Sequence, residues 1–344
     1  VKSTVIPGTA DGVVRPAIEA ESGRKVGEFG LCVNPEFLRE GHAIADFLDP
    51  DRLIIGQWDP RSGETLARLY QSFSCPMIHT TLQNAELIKY ASNALLATLI
   101  SFSNEIATLC EATPGADIQN VIRGVHLDRR LSPVVDGQRI EPGVLSYLWA
   151  GCGFGGSCFP KDVNALRAYG RRQSVDVPLL DAVMAVNDQR PLTLVDLTEK
   201  AVGSRAGTTV AVLGLAFKPG SDDTRKSPAF PVVRELRRRG ATVQVIDPLL
   251  TSKPLSPALG EALGPGVAPC ATGAEALRGA DAAVLVTGWP EFAAWDWEEL
   301  GRLMRQAIVV DGRNALADVR WPAPVRYVPI GRVPEAAAAL VEVG

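Results

Sequence analysis

Residues 209–246, TVAVLGLAFKPGSDDTRKSPAFPVVRELRRRGATVQVI, contain two β-branched runs that each predict a strand, Thr209–Leu213 and Thr242–Ile246. Residues 228–240 between them predict a helix, because proline stands at the first helical position and glycine at the end. Ser227 is placed to cap the start of that helix. A strand, a helix and a second strand in this order are typical of a parallel α/β sheet.

The same alternation of strands and helices continues at both ends of the chain. Downstream, the sequence predicts strands at residues 282–287, 307–310 and 325–329. Near the start of the chain, it predicts strands at residues 1–5, 29–33 and 53–56, and helices at residues 11–21 and 64–73. Strands that alternate with helices indicate a parallel α/β sheet in each of these regions.

The middle of the chain has a different, helical character. Residues 84–112 contain neither glycine nor proline and predict one long helix. Its apolar positions are so dense that we expect it to be buried on most sides and to mediate dimerisation. Further helices are predicted at residues 117–124, from about residue 162, and over Pro178–Val202, whereas the glycine- and proline-rich residues 132–157 predict a loop. The predicted organisation is therefore α/β, then helical, then α/β.

The composition is that of a globular protein of about two to three domains. Of the 344 residues, 46% are hydrophobic and 22% are charged, and the formal net charge is −4. Nucleic acid is not expected as a partner, because no broad basic field exists. Membrane insertion is not expected either, because the apolar runs are shorter than the about 18–20 residues of a membrane span. The six cysteines form no CxxC pair and the three histidines are dispersed, so we expect free thiols, a cytoplasmic protein and no bound metal.

The segment most suggestive of chemistry is residues 151–162, GCGFGGSCFPKD. A formal G-x-G-x-x-G begins at Gly151, but it is a weak match to a dinucleotide fingerprint because no convincing second strand follows. The loop instead places Cys158 before a predicted helix, where the helix dipole and Lys161 would favour the nucleophilic thiolate. The alternative is that Cys158 is a small buried hydrophobic residue.

Two further groups of polar residues have the spacing of a catalytic site. Lys89 and Asn93 stand four residues apart on the long predicted helix, one turn after Glu86. They are either a solvated stripe or a pair that donates hydrogen bonds to a developing oxyanion. Glu36 and Glu40 follow a predicted strand. They are either a charge pair at the start of a helix or a general base with a substrate-binding carboxylate.

Three basic residues of the C-terminal region lie where a phosphate could bind. Lys218 and Arg225 follow the strand Thr209–Leu213, in a strand–loop–helix layout that lacks the Walker A spacing. Arg313 ends a later strand, at the sheet edge where the ligands of open α/β sheets bind. In the alternative interpretation these side chains are ordinary solvent-exposed charges.

Taken together, these segments resemble the nucleotide-sugar 6-dehydrogenases, the UDP-glucose and GDP-mannose dehydrogenase family. The matching strings, in the order of the family, are KSTVIPGT (2–9), NPEFLREG (34–41), PDR (50–52), residues 86–105, GFGGSCFPKD (153–162), LGLAFK (213–218) and DGR (311–313). The resemblance implies three domains: the C-terminal part of an NAD-binding Rossmann-like domain over residues 1–82, a helical dimerisation and catalytic domain over residues 83–204, and a nucleotide-sugar-binding Rossmann-like domain over residues 205–344.

The resemblance also implies a four-electron oxidation of a nucleotide sugar with NAD as the cofactor and UDP-glucose as the expected substrate. Cys158 would capture the aldehyde at carbon 6 as a thiohemiacetal and would then carry the acid as a thioester. Glu36 would be the base that hydrolyses the thioester. Lys89 and Asn93 would hold the oxyanion.

Further residues carry roles over from the family by their position in the matching strings. Asp162 and a water near Thr4 would transfer protons. The implied substrate-binding residues are Glu40, Phe37, Leu38, Arg139, Phe154, Gly155, Lys218 and Arg313. The implied cofactor-binding residues are Thr4, Glu40, Cys158, Lys161 and Arg225. Arg139 resembles an arginine that reaches the sugar of a neighbouring subunit, so a homodimer is expected.

Two features of the sequence depart from the family pattern. The glycine-rich turn of the NAD-binding domain precedes the Lys-Ser-Thr segment in the family, so we expect that turn to lie upstream of Val1, and we expect this chain alone to bind a nucleotide sugar weakly without turning over NAD. Trp149 stands where lysine is often found, which leaves the base and the sugar open. The alternatives are a β-hydroxyacid dehydrogenase, which needs no cysteine nucleophile, and a non-catalytic fragment that binds a nucleotide sugar.

Overall fold

The computed structural model of the chain describes residues 1–203, 207–251 and 254–333. The contacts within the chain divide it into two units. The first unit comprises Val1–Leu95 and Lys161–Leu180, and the second comprises Leu96–Pro160 and Asp181–Gly344.

The elements of the described residues follow the predicted alternation. The helices are α1 (Arg15–Ser22), α2 (Ala43–Leu48), α3 (Pro60–Leu69), α4 (Leu82–Glu111), α5 (Ile118–His126), α6 (Phe159–Arg172), α7 (Pro178–Val202), α8 (Ala229–Arg238), α9 (Pro257–Leu263), α10 (Gly273–Leu277), α11 (Pro290–Ala293) and α12 (Trp297–Leu303). The strands are β1 (Cys32–Val33), β2 (Leu53–Gln57), β3 (Met77–Thr81), β4 (Val134–Val135), β5 (Gln138–Arg139), β6 (Thr209–Leu213), β7 (Thr242–Ile246), β8 (Val267–Pro269), β9 (Ala282–Leu285), β10 (Ile308–Asp311) and β11 (Arg326–Pro329). A π-helical turn (Ala10–Val14) leads into α1, and a 3₁₀ turn (Gly143–Tyr147) precedes the glycine loop.

The first unit contains a mixed three-stranded sheet in the order β1-β2-β3. The predicted parallel arrangement is wrong for β1, which pairs antiparallel with β2, while β2 and β3 are parallel. The sheet packs on a small apolar core that includes Leu31, Val33, Ile54 and Leu82. The sequence did not predict β3, because its residues MIHTT lack the continuous apolar run of a buried strand.

The strand predicted at residues 1–5 is wrong. Val1 alone makes ladder-like contacts: its amino group donates to the Cys32 carbonyl (2.6 Å), and its carbonyl accepts from the Asn34 N–H (2.8 Å). The next residues then turn toward α4, because the N–H groups of Gly8 (2.6 Å) and Ala10 (2.8 Å) both donate to the carboxylate of Glu86. A buried side chain on α4 therefore overrides the β propensity of the segment.

The long helix predicted at residues 84–112 is confirmed as α4, which extends over 30 residues. Most sides of α4 are buried, as expected, and one face is exposed. Four apolar side chains, spaced by eight, seven and seven residues, are exposed on that face: Leu87, Leu95, Phe102 and Leu109. Positions seven residues apart lie on the same side of an α-helix, so the exposed side chains form one row along α4.

The second unit contains a six-stranded sheet in the order β11-β10-β9-β6-β7-β8, and every neighbouring pair is parallel. The four central strands β6, β7, β9 and β10 are buried almost throughout, with apolar clusters on both faces. The helix predicted at residues 228–240 begins at Ala229, whose N–H donates to the Ser227 hydroxyl (3.2 Å). The sequence did not predict β8, a short edge strand that ends in proline.

Parallel pairing brings the carboxyl ends of β6, β7, β9 and β10 to the same edge of this sheet. Residues 214–228, Asp247, residues 286–289 and residues 312–316 follow those strands. In the region predicted to be a loop, β4 and β5 form a small antiparallel hairpin. No described helix has both the length and the hydropathy that a membrane span requires.

Candidate active site

In the first unit, one face of α4 carries three buried polar side chains. Glu86, Lys89 and Asn93 are 2%, 5% and 8% exposed, respectively. The alternative of a solvated stripe is therefore wrong. Buried polar groups require partners, and each of these three side chains has one inside the first unit.

Lys89 is surrounded by the segment that follows β1. Its ammonium lies 3.5 Å from Glu36 Oε1 and 5.2 Å from the centre of the Phe37 ring. The other Glu36 oxygen accepts from the N–H of Leu38 (2.7 Å), which fixes the carboxylate. The structure thus brings Lys89, Glu36, Phe37 and Leu38 together. Glu40 lies half-buried in the turn that follows.

Glu36 and Glu40 do not lie at the start of a helix. Residues 34–39 are irregular, and α2 begins only at Ala43. The alternative that Glu36 and Glu40 are a helix-start charge pair is therefore wrong. Thr4, predicted to act near this group, lies half-buried in the irregular segment before Pro7.

Asn93, Asp162 and Lys161 form a second polar group in the first unit. Asn93 Nδ2 donates to Asp162 Oδ2 (2.6 Å), and the Lys161 ammonium donates to Asp162 Oδ1. Asp162 is 1% exposed. The nearby phenol of Tyr90 has a raised pKa, because burial and then the charges of Asp162 and Glu86 disfavour the phenolate. The Asn93 amide has two hydrogens, so one N–H remains beyond its bond to Asp162.

In the second unit, side chains from two helices fasten the backbone of the glycine loop. The Gly151 N–H donates to Asn104 Oδ1 on α4 (2.7 Å), and Arg190 Nε on α7 donates to the Gly151 carbonyl (3.1 Å). Asn187 on α7 accepts from the Phe154 N–H (2.7 Å) and donates to the Phe154 carbonyl (3.2 Å). Side chains thus bind both the N–H and the carbonyl of Gly151 and of Phe154, which fixes the course of the loop.

The glycines of the loop allow it to approach the segment that follows β6. A Cβ on Gly155 would lie 2.4 Å from the Lys226 carbonyl oxygen. Gly156 has a φ of +81°, and its N–H donates to the Arg225 carbonyl (2.9 Å). A Cβ on Gly156 would lie 2.9 Å from the Phe217 ring. Close approach inside the protein accounts for these glycines, and a 3₁₀ turn rather than a strand precedes them, so the formal dinucleotide fingerprint has no strand–turn–helix context here.

Cys158 lies at the end of this loop, directly before α6. Of the six cysteines, all within the described residues, Cys158 is the exposed one. Cys110, Cys152 and Cys270 are buried, and burial raises the pKa of each of these thiols. The alternative that Cys158 is a buried hydrophobic residue is wrong. The Ser157 hydroxyl lies 3.7 Å from the Cys158 sulfur.

The basic residues predicted to bind phosphate lie at the carboxyl edge of the second unit's sheet. Arg313 Nε donates to the Val286 carbonyl (2.7 Å). Arg225 forms a bidentate pair with Asp223, with its Nη2 at 2.8 Å from the carboxylate. The Lys218 ammonium lies 5.5 Å from the centre of its neighbouring Phe217 ring.

Arg139 and Trp149, which the sequence singled out, both lie in the region predicted to be a loop. Arg139 Nη1 donates to the carbonyls of Leu127 (3.0 Å) and Ser132 (2.8 Å), so it fastens the hairpin to the chain that precedes it. Trp149 packs edge-on against His126, with the ring centres 4.7 Å apart. The described residues contain no group of three or more His, Cys, Asp and Glu side chains arranged to hold a metal ion.

Sequence reasoning missed the residues that hold the glycine loop. Asn187 and Arg190 are polar side chains within the otherwise apolar α7 and are 7% and 1% exposed. Their spacing of three residues places them on one face of the helix. Two polar residues spaced by three within an apolar helix were the sequence pattern from which this pair could have been predicted.

Comparison with known proteins agrees with this arrangement. Three models of the UDP-glucose/GDP-mannose dehydrogenase family match: the NAD-binding domain at residues 1–74, the central domain at residues 83–189 and the UDP-binding domain at residues 211–318. The UDP-glucose 6-dehydrogenase of Haloferax volcanii is 41% identical over 319 residues, which cover 91% of this chain and 69% of that protein. The chain belongs to this family. The UDP-glucose 6-dehydrogenase of Pseudomonas aeruginosa is also 41% identical, over 93% of this chain and 69% of that protein.

Solved structures of dehydrogenases from this family share the fold. A UDP-glucose dehydrogenase from Pyrobaculum islandicum is 37% identical with a TM-score of 0.81, and the match covers 97% of this chain and 70% of that one. The UDP-ManNAc dehydrogenase from Pyrococcus horikoshii is 27% identical with a TM-score of 0.79, over 96% and 72% of the two chains. The α/β fold class with Rossmann-like ends and a helical centre is thereby confirmed.

Family membership confirms the general function that the resemblance implied. The protein is an oxidoreductase, a nucleotide-sugar dehydrogenase with NAD as its cofactor. Its UDP-binding domain supports a nucleotide sugar as the substrate. The alternative of a β-hydroxyacid dehydrogenase is therefore wrong.

Proposed function

We infer that the protein oxidises carbon 6 of a UDP-sugar to the acid, converting UDP-glucose to UDP-glucuronate through a covalent intermediate on Cys158. The observation that carries this proposal is the placement of Cys158. It is an exposed thiol at the end of a loop whose backbone is fastened at Gly151 and Phe154. A rigidly held, accessible thiol before a helix is suited to nucleophilic catalysis.

The proposed reaction has two oxidations and one hydrolysis. Loss of a hydride and a hydroxyl proton from carbon 6 gives an aldehyde, to which the Cys158 sulfur adds, and the carbonyl oxygen takes up a proton. Loss of a second hydride and proton from this thiohemiacetal leaves a thioester. Water then adds to the thioester carbon and the carbon–sulfur bond breaks, which releases the carboxylate and restores the thiolate. NAD, when bound, accepts the hydride in both oxidations.

Residues of the first unit would stabilise charge and transfer protons. The buried ammonium of Lys89 and the remaining N–H of Asn93 would hold the oxyanion, since fixed donors that are shielded from water stabilise developing negative charge most strongly. Glu36, 3.5 Å from Lys89, would act as the base for thioester hydrolysis. Asp162, together with a water near Thr4, would transfer protons.

The proposed binding residues fit a phosphate-bearing substrate and a dinucleotide. Lys218 and Arg313, at the carboxyl edge of the six-stranded sheet, would contact the nucleotide sugar. The exposed side chains of Lys161 and Arg225 (55% and 68%) are cations that suit the pyrophosphate of NAD. The remaining contacts are assigned to Phe37, Leu38, Arg139, Phe154 and Gly155 for the substrate, and to Thr4, Glu40 and Cys158 for the cofactor.

Substitution of the nucleophile tests this proposal. In the full-length protein, Cys158→Ser should stop the formation of UDP-glucuronate at one of the two oxidation stages, measured by chromatography of the nucleotide products. Cys75→Ser, at a half-buried cysteine, is the matched control and should leave the product unchanged. If Cys158→Ser still makes the acid at a near-normal rate, Cys158 is structural and the covalent mechanism is wrong.

We propose further that the chain dimerises through α4. The exposed apolar row of Leu87, Leu95, Phe102 and Leu109 supports this, because an apolar helix face is stabilised when a partner covers it. Light scattering should report a dimer at micromolar concentration, and Leu109→Glu should weaken it. Leu69→Glu, at an exposed leucine on α3, is the control. A protein that scatters as a monomer throughout contradicts the proposal.

Domain boundaries and cellular location complete the proposal. The matches of the three family models support a division into residues 1–82, 83–204 and 205–344. All six cysteines are free thiols, which supports a cytoplasmic location, since reducing compartments keep thiols unpaired. Limited proteolysis with mass spectrometry of the fragments would test the two boundaries.

A further inference from the structure

The turn that follows β6 binds a carboxylate of the protein itself. In dinucleotide-binding sheets, the N–H groups of the turn after the first strand face the pyrophosphate of the ligand, and an acidic residue at the end of the second strand faces its ribose. In the second unit, β6 and β7 occupy those two places. Asp247, directly after β7, instead accepts hydrogen bonds from the N–H groups of Leu215 (2.7 Å) and Ala216 (3.0 Å) in the turn after β6.

Neutral donors surround the rest of the Asp247 carboxylate. Trp289 Nε1 donates to Oδ2 (3.2 Å), the oxygen that binds the turn. The N–H groups of Leu249 (3.1 Å) and Leu250 (3.3 Å) donate to Oδ1. Asp247 is 1% exposed, so its charge is balanced by N–H dipoles in the manner of a bound anion.

The turn is packed closely against the chain that follows β9. Gly214 has a φ of +93°, and a Cβ there would lie 2.4 Å from the Thr287 Cβ. The Thr287 hydroxyl donates to the Ala216 carbonyl (2.5 Å), so the chain after β9 also closes on the turn. The N–H groups that could face a phosphate are therefore occupied from within the protein.

We propose that Asp247 is an internal anion that fills the phosphate site of the C-terminal sheet and so positions the segment leading to Lys218. The sheet consequently holds no dinucleotide in its turn, and the phosphates of the nucleotide sugar bind farther along the segment, at the Lys218 side chain. Asp247 is thus a positioning residue that acts through the turn. The proposal rests on the nucleotide binding assigned above to Lys218.

Chemical rescue tests the proposal. Asp247→Ala keeps the Cβ of the side chain and removes its carboxylate. Added formate can occupy the space of the missing carboxylate and supply its oxygen atoms. Because two backbone N–H groups of the turn lose their acceptor, we expect Asp247→Ala to bind UDP about tenfold more weakly or worse in calorimetry. Added formate should restore the affinity with saturation, whereas chloride at equal ionic strength should not. Asp247→Asn fills the cavity and should bind UDP weakly with or without formate.

The matched control is Asp281→Ala, at the opposite end of the same sheet. Asp281 is also buried and accepts from a backbone N–H, that of Thr209 (2.8 Å), at the start of β6. Asp281→Ala should lower the melting temperature but leave UDP affinity within about twofold, with no response to formate.

The outcomes separate this proposal from the proposed function. Wild-type affinity of Asp247→Ala for UDP, or weakened affinity that formate does not restore, overturns the role of Asp247. If Asp247→Ala folds only when formate is present, its UDP affinity is measured in formate, and failure to bind UDP there overturns the role of Asp247. Wild-type protein that binds no UDP at all contradicts the proposed function instead.

Discussion

Asn187 and Phe154 are joined by two hydrogen bonds, in which the side-chain amide of Asn187 accepts from the backbone N–H of Phe154 and donates to its carbonyl. The pair is buried. The side chain of Asn187 on α7 thus binds both backbone groups of Phe154, as a neighbouring strand would, in the loop that ends at Cys158.

Asn187→Asp should reduce turnover more than it reduces folding stability. The substitution keeps the acceptor for the Phe154 N–H but turns the donor into an anion that faces a carbonyl. We expect kcat to fall by about tenfold or more, since small displacements of a reacting group are costly, while KM for the nucleotide sugar changes little. Steady-state kinetics of the full-length protein measures both quantities. Asn120→Asp, at an exposed asparagine on α5, should leave both unchanged, and equal losses for the two variants would contradict the assignment.

Gly155→Ala should destabilise the second unit. The new Cβ would lie 2.4 Å from the Lys226 carbonyl oxygen, and because backbone atoms cannot rotate away, the loop must shift. We expect a loss of about 1–3 kcal/mol in the free energy of unfolding, measured by urea denaturation. Gly143→Ala has no atom within 4 Å of the added Cβ and should change stability by less than about 0.5 kcal/mol. A stable Gly155→Ala protein would show that the two segments do not touch in solution.

Arg190→Met should be far more costly than the same change at a surface pair. The Arg190 guanidinium is 1% exposed and pairs with Glu111 at 3.0 Å, so the substitution leaves a carboxylate in a partly buried site without its counter-charge. The expected loss is about 3–5 kcal/mol in unfolding free energy. Arg302→Met breaks the exposed pair with Glu298 and should cost less than about 1 kcal/mol. Similar losses for both variants would rule out a structural role for the buried pair.

Iodoacetamide should alkylate Cys158 before any buried cysteine. Cys158 is exposed, whereas burial raises the pKa of Cys110 and disfavours its thiolate. Peptide mass spectrometry of a labelling time course should show a rate at Cys158 at least about tenfold that at Cys110. Cys158→Ser should remove the fast phase. Labelling of Cys110 at the rate of Cys158 would mean that α4 opens readily in solution.

The sequence predicted those parts of the fold that depend on local pattern. The strands β6, β7, β9 and β10 were found because a buried parallel strand needs a continuous apolar run, and α4 because it lacks helix breakers. Residues 1–5 carry the same strand pattern, yet Glu86, 76 residues or more away from its partners, redirects them. A contact between residues so far apart in the chain cannot be predicted from a short stretch of sequence.

The candidate site shows the same division. Cys158, Lys89 and Asn93 could be singled out by residue type and spacing, but their exposure could not, and the polar face of α4 proved to be buried. Asn187 was missed because an asparagine within a helix has no distinctive signature until the loop that it binds is folded against it. Asp247 was missed for the same reason, since its five donors come from three separate segments.

The close packing of Gly155 and Gly156 on Phe217, Arg225 and Lys226 has a consequence for protein engineering. The glycine loop and the segment after β6 share one surface, so an insertion in either would push against the backbone of the other. A library that aims to change nucleotide preference by varying the neighbourhood of Lys218 should therefore diversify both stretches together and keep their lengths constant. Variants selected from one stretch alone should mostly be those that leave the glycine contacts intact.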